Sequence, residues 1–351
     1  MKKMILFGCG GSAGINFVKS LRLCREKVKI IGFDINRYYI ELSPVDQRYL
    51  IPAIKQRSSE TIDKVNELIK KGGIDFVHAQ PDPEVGYVSE HREKFNAKTF
   101  FPSKEAVKIC HDKMESYKTW KSKGVPVAKT IQIQNEGSLE KVFNELKGTV
   151  WIRASKGAGG KASLPVDSVD EARMWIRFWT KYGLMWNDFI ASEFLPGEEI
   201  AWNSVWADGK LLCSQGRIRI EWVQAGLTPS GVTGTTAIQK TVHDDSVNEI
   251  ATKAIEAVDK KPNGIFSVDI KQDPEGNPKV TEINPGRFST TSLFFSTYGV
   301  NMPEIYLKAA YGEKIKGVSP YNSVEKDVYW IRIPDGGPVM VKGDDWKSKP
   351  L

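Results

Sequence analysis

Short apolar runs and longer amphipathic stretches take turns along the first eighty residues. Residues 4–7 read as a buried strand, the Gly8–Gly14 turn follows, and a helical pattern runs to about residue 25. A second strand is predicted over 28–33, ending at Asp34. A helix capped by Ser59 runs to residue 71 before Gly72-Gly73, and a third strand covers 74–79. This βαβ alternation predicts a parallel, doubly wound sheet. Further on, the pattern predicts a helix opened by Ser103, carrying Asp112-Lys113 and ending before Gly124. A strand over 129–133, a helix over 138–147 and a strand over 149–153 follow. The string Ser155-Lys-Gly-Ala-Gly-Gly-Lys161 then joins that strand to another over 162–166, and Asp167 or Ser168 caps an aromatic-rich helix whose Trp175, Phe178 and Trp179 read as core. Strands over 189–194, 200–207 and 210–220 come next, the last two joined by the hairpin signal Asp208-Gly209. Residues 222–236, rich in Gly, Thr and Ser, are expected to form a mobile cover over a site. Helices over 245–260 and 303–311 and a closing hairpin (328–333, 339–341) around Asp335-Gly-Gly-Pro338 complete the pattern.

One hairpin carries the most chemistry. Gly264-Ile-Phe-Ser-Val-Asp-Ile-Lys271 alternates apolar and polar, Asp273-Pro-Glu-Gly-Asn-Pro278 is turn chemistry, and Lys279-Val-Thr-Glu-Ile-Asn284 runs back. A turn centred between Glu275 and Gly276 sets Asp269 opposite Glu282 and Ser267 opposite Asn284, with Phe266, Val268, Ile270 and Ile283 on the core face. Facing carboxylates repel, with Cβ atoms roughly 4.5–5.5 Å apart. A divalent cation between them turns that cost into a site, and Mg²⁺ is commonly held by one or two carboxylates plus substrate phosphates. The competing reading is a solvated face with an incidental acidic pair.

The chain has 351 residues, 40% hydrophobic and 26% charged, which fits two or three soluble domains. No apolar run approaches the roughly 20 residues that span a bilayer, and residues 4–7 are too short for a signal sequence, so a cytoplasmic location is expected. The four cysteines are isolated, with no CxxC spacing. Net charge is +7, yet the basic residues are dispersed, so nucleic acid is not expected as a partner and a polyanionic small molecule fits the charge. A homodimer is the base-rate expectation.

Three further motifs admit two readings each. Gly8-x-Gly10-x-x-Ala13 with Asp34 beyond it fits the dinucleotide fingerprint, which implies a nicotinamide oxidoreductase. The same glycines are also what a tight strand-to-helix turn needs. Asp82 and Glu84, after the third strand, could hold an amine-bearing substrate, or Asp82 could cap the next helix. The loop of residues 155–161 departs from a Walker A loop: Ala162 follows Lys161, and Ser155 stands where the first glycine belongs. It therefore joins antiparallel strands, either as a flexible hairpin or as a phosphate-wrapping loop with Lys156 and Lys161 adding charge.

The order of these motifs resembles the ATP-grasp superfamily, and within it the single-module relatives of the carbamoyl-phosphate synthase large subunit. The resemblance covers roughly residues 1–312. It rests on Asp112-Lys113, Gly124-Val-Pro126, Val150-Trp-Ile-Arg153, Gly157-Ala-Gly-Gly160, Glu193-Phe-Leu-Pro-Gly-Glu-Glu199, Phe266-Ser-Val-Asp269 and Glu282-Ile-Asn-Pro285. It implies an α/β and α+β chain: a doubly wound parallel-sheet domain over 1–102, a two-lobed ATP-grasp domain over 103–312, and closing strands over 313–351. Within the second domain the small lobe covers about 126–197 and the large lobe about 198–312.

It also implies roles. Lys113 and Arg153 contact the α/β phosphates; the loop with Lys156, Gly157, Gly159, Gly160 and Lys161 closes over the triphosphate. Glu193 and the Leu195 backbone bind the adenine edge, and Glu199 the ribose. Asp269, Glu282 and Asn284 hold Mg²⁺, with Mn²⁺ as the alternative ion. Arg287 faces the transferred phosphoryl group, although the family pattern has that arginine directly after proline, whereas Gly286 intervenes here. The implied reaction activates a carboxylate as an acyl phosphate for attack by an amine or similar nucleophile. Arg217 and Arg219 either hold the substrate carboxylate or form a solvated strand face, and His243 is either a general base or a helix-start residue. The other readings are a bicarbonate-phosphorylating enzyme like carbamoyl-phosphate synthase, the nicotinamide oxidoreductase, and an ATP-binding module without catalysis.

Overall fold

Three sheets organise the chain in a computed structural model that describes residues 1–157, 159–334 and 337–343. The first is parallel, with strand order β3-β2-β1-β4. Its strands are β1 (Lys2–Phe7), β2 (Val28–Asp34), β3 (Gln47–Leu50) and β4 (Phe76–Ala79), and helices α1 (Ser12–Arg22), α2 (Ser59–Gly72) and α3 (Asp82–Glu90) follow β1, β3 and β4. β1, β2 and β4 are almost wholly buried and read as continuous apolar runs, as strands covered on both faces do. β3 was not predicted from the pattern. Its four residues are all exposed at the sheet edge, so no alternation marks it. Ser58 rather than Ser59 takes the cap position of α2, without a side-chain hydrogen bond, and Gly73 (φ 57°) closes the helix in the left-handed region.

The first glycine loop is filled by its own chain. Gly8 has φ 72°, and a Cβ there would lie 2.2 Å from Pro81 Cδ; one on Gly10 would lie 2.7 Å from the Tyr39 backbone. The Asp34 carboxylate is turned inward onto this loop, accepting from the backbone N–H groups of Gly10 (2.8 Å) and Asn36 (2.9 Å). The geometry supports the tight-turn reading and leaves no room against Gly10 for a pyrophosphate.

Helix α4 (Lys104–Cys110) is capped by Ser103, as expected, but the pattern's single helix is two. The chain breaks at His111, and Asp112 caps α5 (Lys113–Ser122) by accepting from the N–H groups of Met114 and Glu115. The second sheet has order β5-β8-β6-β7. It comprises β5 (Thr130–Gln132), β6 (Val150–Ala154), β7 (Leu164–Val166) and β8 (Phe189–Glu193), covered by α6 (Leu139–Leu146) and α7 (Val169–Thr180). β6 and β7 are antiparallel, so the second glycine loop joins antiparallel strands as expected, and Ser168 caps α7. Trp175 and Trp179 pack against this core, but Phe178 is 45% exposed.

The third sheet has order β13-β12-β9-β10-β11-β14-β15. Its strands are β9 (Glu199–Ala207), β10 (Lys210–Trp222), β11 (Thr236–Val242), β12 (Gly264–Gln272), β13 (Pro278–Pro285), β14 (Val328–Ile333) and β15 (Gly337–Lys342). Helices α8 (Asp245–Val258), α9 (Ser292–Tyr298) and α10 (Met302–Ala310) pack around it, and α9 and α10 also dock on α1. β14 and β15 pair as the expected hairpin. Its turn at Asp335 and Gly336, residues 344–351 and Ala158 of the second glycine loop lie outside the described residues.

Candidate active site

The second and third sheets face each other across a cleft lined from β6, β8, the second glycine loop, β10, β12 and β13. The β12–β13 hairpin forms its floor. Asp269 stands opposite Glu282 and Ser267 opposite Asn284, as the alternation requires, with Phe266, Val268, Ile270 and Ile283 buried beneath. Register shifts by one residue between Asp269 and Ile270, which pairs with Val280. Thr281 is thus the extra residue of a bulge. The Thr281 carbonyl accepts from the Arg153 guanidinium at 2.9 Å, so the bulge ties the two sheets together at the acidic pair.

The carboxylates are surrounded by cations. Lys113 Nζ lies 3.6 Å from Glu282 and donates to the Gly157 carbonyl at 2.6 Å. It is delivered there because Asp112 caps α5 and the Lys113 N–H bonds the Ser155 carbonyl at 2.9 Å. Arg153 lies 3.5 Å from Glu282. Burial lowers its pKa, with Glu282 and Asp269 opposing the fall. Arg219 pairs with Glu199 and, at 3.3 Å, with Asp269, and its guanidinium sits 3.9 Å from the Trp222 ring centroid.

Arg217 is different. It shares the face of Arg219 on β10 but is 1% exposed, and among the described residues Gln239 is its side-chain partner and its Nε has none. Burial and the neighbouring Arg219 pull its pKa down to about 9. Of the cleft-lining arginines among the described residues, Arg153, Arg219 and Arg287 each have a carboxylate within ion-pair distance, and Arg217 has none.

At the far end the lining is aromatic and apolar, with Tyr117, Trp151, Phe194 and Leu195. Glu193 stands beside them and accepts from Lys279 at 2.7 Å. Glu199 accepts from Trp222 Nε1 at 3.3 Å as well as from Arg219. The segment 222–236 lies over the cleft through Trp222, Val232 and Gly234. A Cβ on Gly234 would fall 2.9 Å from Gly159 Cα, so this segment and the glycine loop meet backbone to backbone.

Gly157, Gly159, Gly160 and Lys161 line the cleft, but Lys156 does not. Its side chain is 74% exposed and pairs with Asp112 at 3.4 Å. His243 is also outside, just after β11, where its Nε2 donates to the Val324 carbonyl at 2.7 Å; Asp244 caps α8. Asn284 turns its carboxamide NH₂ to Asp269 (3.2 Å) and its oxygen to Arg287 (2.6 Å), so that oxygen does not sit between the carboxylates.

Asp82 does not cap α3. Pro81 holds the cap position, and the Asp82 carboxylate receives two bonds from Arg287, from Nε and from a terminal nitrogen at 2.9 Å. Glu84 is bound bidentately by the buried Arg57, both bonds at 2.6 Å. Sequence reasoning missed Asp82 as a cleft support, and Lys279 and Trp222 as partners of Glu193 and Glu199. Their partners lie on other elements, so no local spacing signals them.

As for fit to a divalent cation, Asp269 and Glu282 supply the hard oxygen donors such an ion takes. In the chain alone, Lys113, Arg153 and Arg219 neutralise them. Among the described residues, no group of three or more His, Cys, Asp or Glu side chains gathers to hold a metal, so the facing pair with a neighbouring amide is what the cleft offers.

Residues 110–291 match the family model of the ATP-grasp domain. Among solved structures, the chain is similar to carboxyaminoimidazole ribonucleotide synthase from Aspergillus clavatus complexed with ATP. Identity there is 16%, over 94% of this chain and 81% of that one, with a TM-score of 0.71. It is also similar to L-amino acid ligase from Bacillus licheniformis (15% identity, 94% and 79% covered, TM-score 0.69). The biotin carboxylase domain of 2-oxoglutarate carboxylase from Hydrogenobacter thermophilus, in complex with MgADP, ADP and bicarbonate, matches at 15% identity (94% and 73% covered, TM-score 0.70). At these identities the likeness is one of fold. Among the described residues no helix is long and apolar enough to cross a membrane.

Proposed function

We propose, because the chain belongs to the ATP-grasp family, that it is a ligase using ATP to activate a carboxylate as an acyl phosphate for attack by an amine. The observation that carries this reading is the charge arrangement of the cleft. A facing acidic pair is ringed by Lys113, Arg153 and Arg219, and beyond it the buried Arg217 has no carboxylate within ion-pair distance among the described residues. Two anions, a triphosphate and a carboxylate, have to be brought together, and phosphoryl transfer is mostly positioning and charge stabilisation.

The aromatic end takes the base, with Glu193 and the Leu195 backbone at its edge and Glu199 at the ribose. Lys113, Arg153 and the glycines of the 157–161 loop hold phosphate oxygens. Asp269 and Glu282 would hold Mg²⁺, with Asn284 beside them. When bound, that ion neutralises phosphate charge and polarises the transferred group. Arg217 holds the acid. Arg219 is already shared between Glu199 and Asp269, so it orders the ribose and metal ends instead.

A carboxylate oxygen attacks the terminal phosphorus and the β–γ bridging bond breaks, releasing ADP. The amine nitrogen then attacks the acyl carbon, the C–O bond to phosphate breaks, and the nitrogen loses a proton. Arg287, at the floor beside Asn284, stabilises the charge of the transferred group. The test is ADP release from Mg·ATP across a panel of carboxylates, bicarbonate included, each with and without amines. Acid-dependent release that rises with an amine supports the reading. Release with bicarbonate alone moves the assignment to bicarbonate phosphorylation, and no release with any acid refutes it.

A further inference from the structure

We infer that Asp82, on the amino-terminal domain, is a positioning residue for Arg287. It does not line the cleft itself but fixes the guanidinium that does. The inference rests on the ligase reading for what Arg287 does, and on geometry for the coupling.

Three observations converge. Arg287 presents Nε and one terminal nitrogen to the two oxygens of Asp82, while that same terminal nitrogen reaches Asn284 Oδ1 at 2.6 Å. A fork held through Nε and one terminal nitrogen by two separate partners is fixed in orientation. Second, Gly286, the residue by which this chain departs from the family pattern, has φ 72°. A Cβ there would lie 2.7 Å from Phe101 Cδ1 and 2.9 Å from Val85 Cγ1. Val85 belongs to α3, the helix that begins at Asp82. The glycine therefore lets the 285–287 turn press against the same helix that supplies the carboxylate, and the inserted residue and Asp82 act as one device. Third, the pair is largely desolvated, with Arg287 at 15% and Asp82 at 19% side-chain exposure. An ion pair shielded in this way holds geometry better than a surface one. His111 stands beside it with Nε2 unpaired, and burial lowers its pKa, so it adds no charge to compete for Asp82.

Steady-state ADP release from Mg·ATP, with the acid and amine that activate the wild type best, is compared for the wild type, D82N, D82A, R287A and D82A/R287A. The two Asp82 variants should lose about 10- to 100-fold in kcat, the range for displaced supports of catalytic groups, with KM for ATP within about twofold. D82E should recover part of the loss. In the R287A background, D82A should add less than about twofold, because coupled residues are non-additive. Wild-type kcat in D82A, or full multiplication in the double variant, overturns the inference.

A second measurement does not depend on turnover. Phenylglyoxal modification of Arg287, followed by mass spectrometry of the peptide, should be slow in the wild type and at least about tenfold faster in D82N, whose amide leaves the guanidinium unpaired. Equal rates overturn the pairing. A wild type that releases no ADP with any acid refutes the ligase reading, and the modification rates still decide the Asp82–Arg287 coupling.

Discussion

Replacing Arg217 with methionine should make the ligand-free protein more stable and less able to use its acid. The side chain is 1% exposed and has Gln239 as its hydrogen-bond partner, with no carboxylate within ion-pair distance among the described residues. Burial, then Arg219, draws its pKa from the ordinary arginine value down to about 9. At ~1.4 kcal/mol per tenfold change, that fall corresponds to about 5 kcal/mol against the charged form. Part of that is lost again when Gln239 gives up its partner, so a net gain of about 1–3 kcal/mol is expected, within the range for apolar replacement of buried ions. The sign with pH follows. The folded state releases this proton more readily than the unfolded one, so the penalty is fully present below pH 9 and is relieved as pH rises beyond it. Calorimetry of the ligand-free proteins should give a higher Tm for R217M at pH 7, with the gap to the wild type closing above pH 9. ADP release should meanwhile lose its dependence on the acid. An R217M protein less stable than the wild type at pH 7 would refute the claim that the buried charge costs the ligand-free fold more than its neighbours return.

Other consequences are more local. Glu282→Ala should lower acid-dependent ADP release by ~10²-fold or more, on the scale of removing one preorganised electrostatic contact; normal Mg²⁺-dependent turnover in that variant would contradict its place beside the metal. Gly8→Ala puts a Cβ 2.2 Å from Pro81 Cδ at φ 72° and should cost about 2–4 kcal/mol from the left-handed backbone and overpacking together, measured by urea titration; a wild-type midpoint would reopen the dinucleotide reading of that loop. Gly234→Ala puts a Cβ 2.9 Å from Gly159 Cα and should weaken binding of a non-hydrolysable Mg·ATP analogue by about tenfold, a loss of ~1.4 kcal/mol, by titration calorimetry; unchanged affinity would mean the two loops need not meet when nucleotide binds.

The acidic floor was legible because two independent signals agree there. Alternation over residues 264–271 fixes which side chains share a face, and the Asp-Pro-Glu-Gly turn fixes where the chain reverses, so Asp269 meets Glu282 without knowledge of the rest of the fold. The bulge leaves a spacing signal too: Val280 and Ile283, apolar and both buried in the fold, are three apart, where an unbroken strand face would place them two or four apart. The cap at Asp112 likewise has Glu115 three residues on, the spacing of a helix start, yet apolar periodicity running through His111 hid the break. β3 leaves no pattern because nothing in it is buried.

What the sequence could not show is which cations are already used. Arg217 and Arg219 are two residues apart on one strand face and look equivalent on paper. Their difference comes from Glu199 on the neighbouring strand and Asp269 one strand further, which pair directly with Arg219 and act on Arg217 only from beyond ion-pair distance. Partnering of charge is a property of strand order, which local spacing does not encode. The same holds for Asp82, 205 residues from Arg287 in the chain. The cleft's paired arginines are therefore fixed in place before any ligand arrives. Arg217, which has no carboxylate within ion-pair distance among the described residues, is where binding free energy from an incoming anion has most to gain, since the desolvation cost there is already met by the fold.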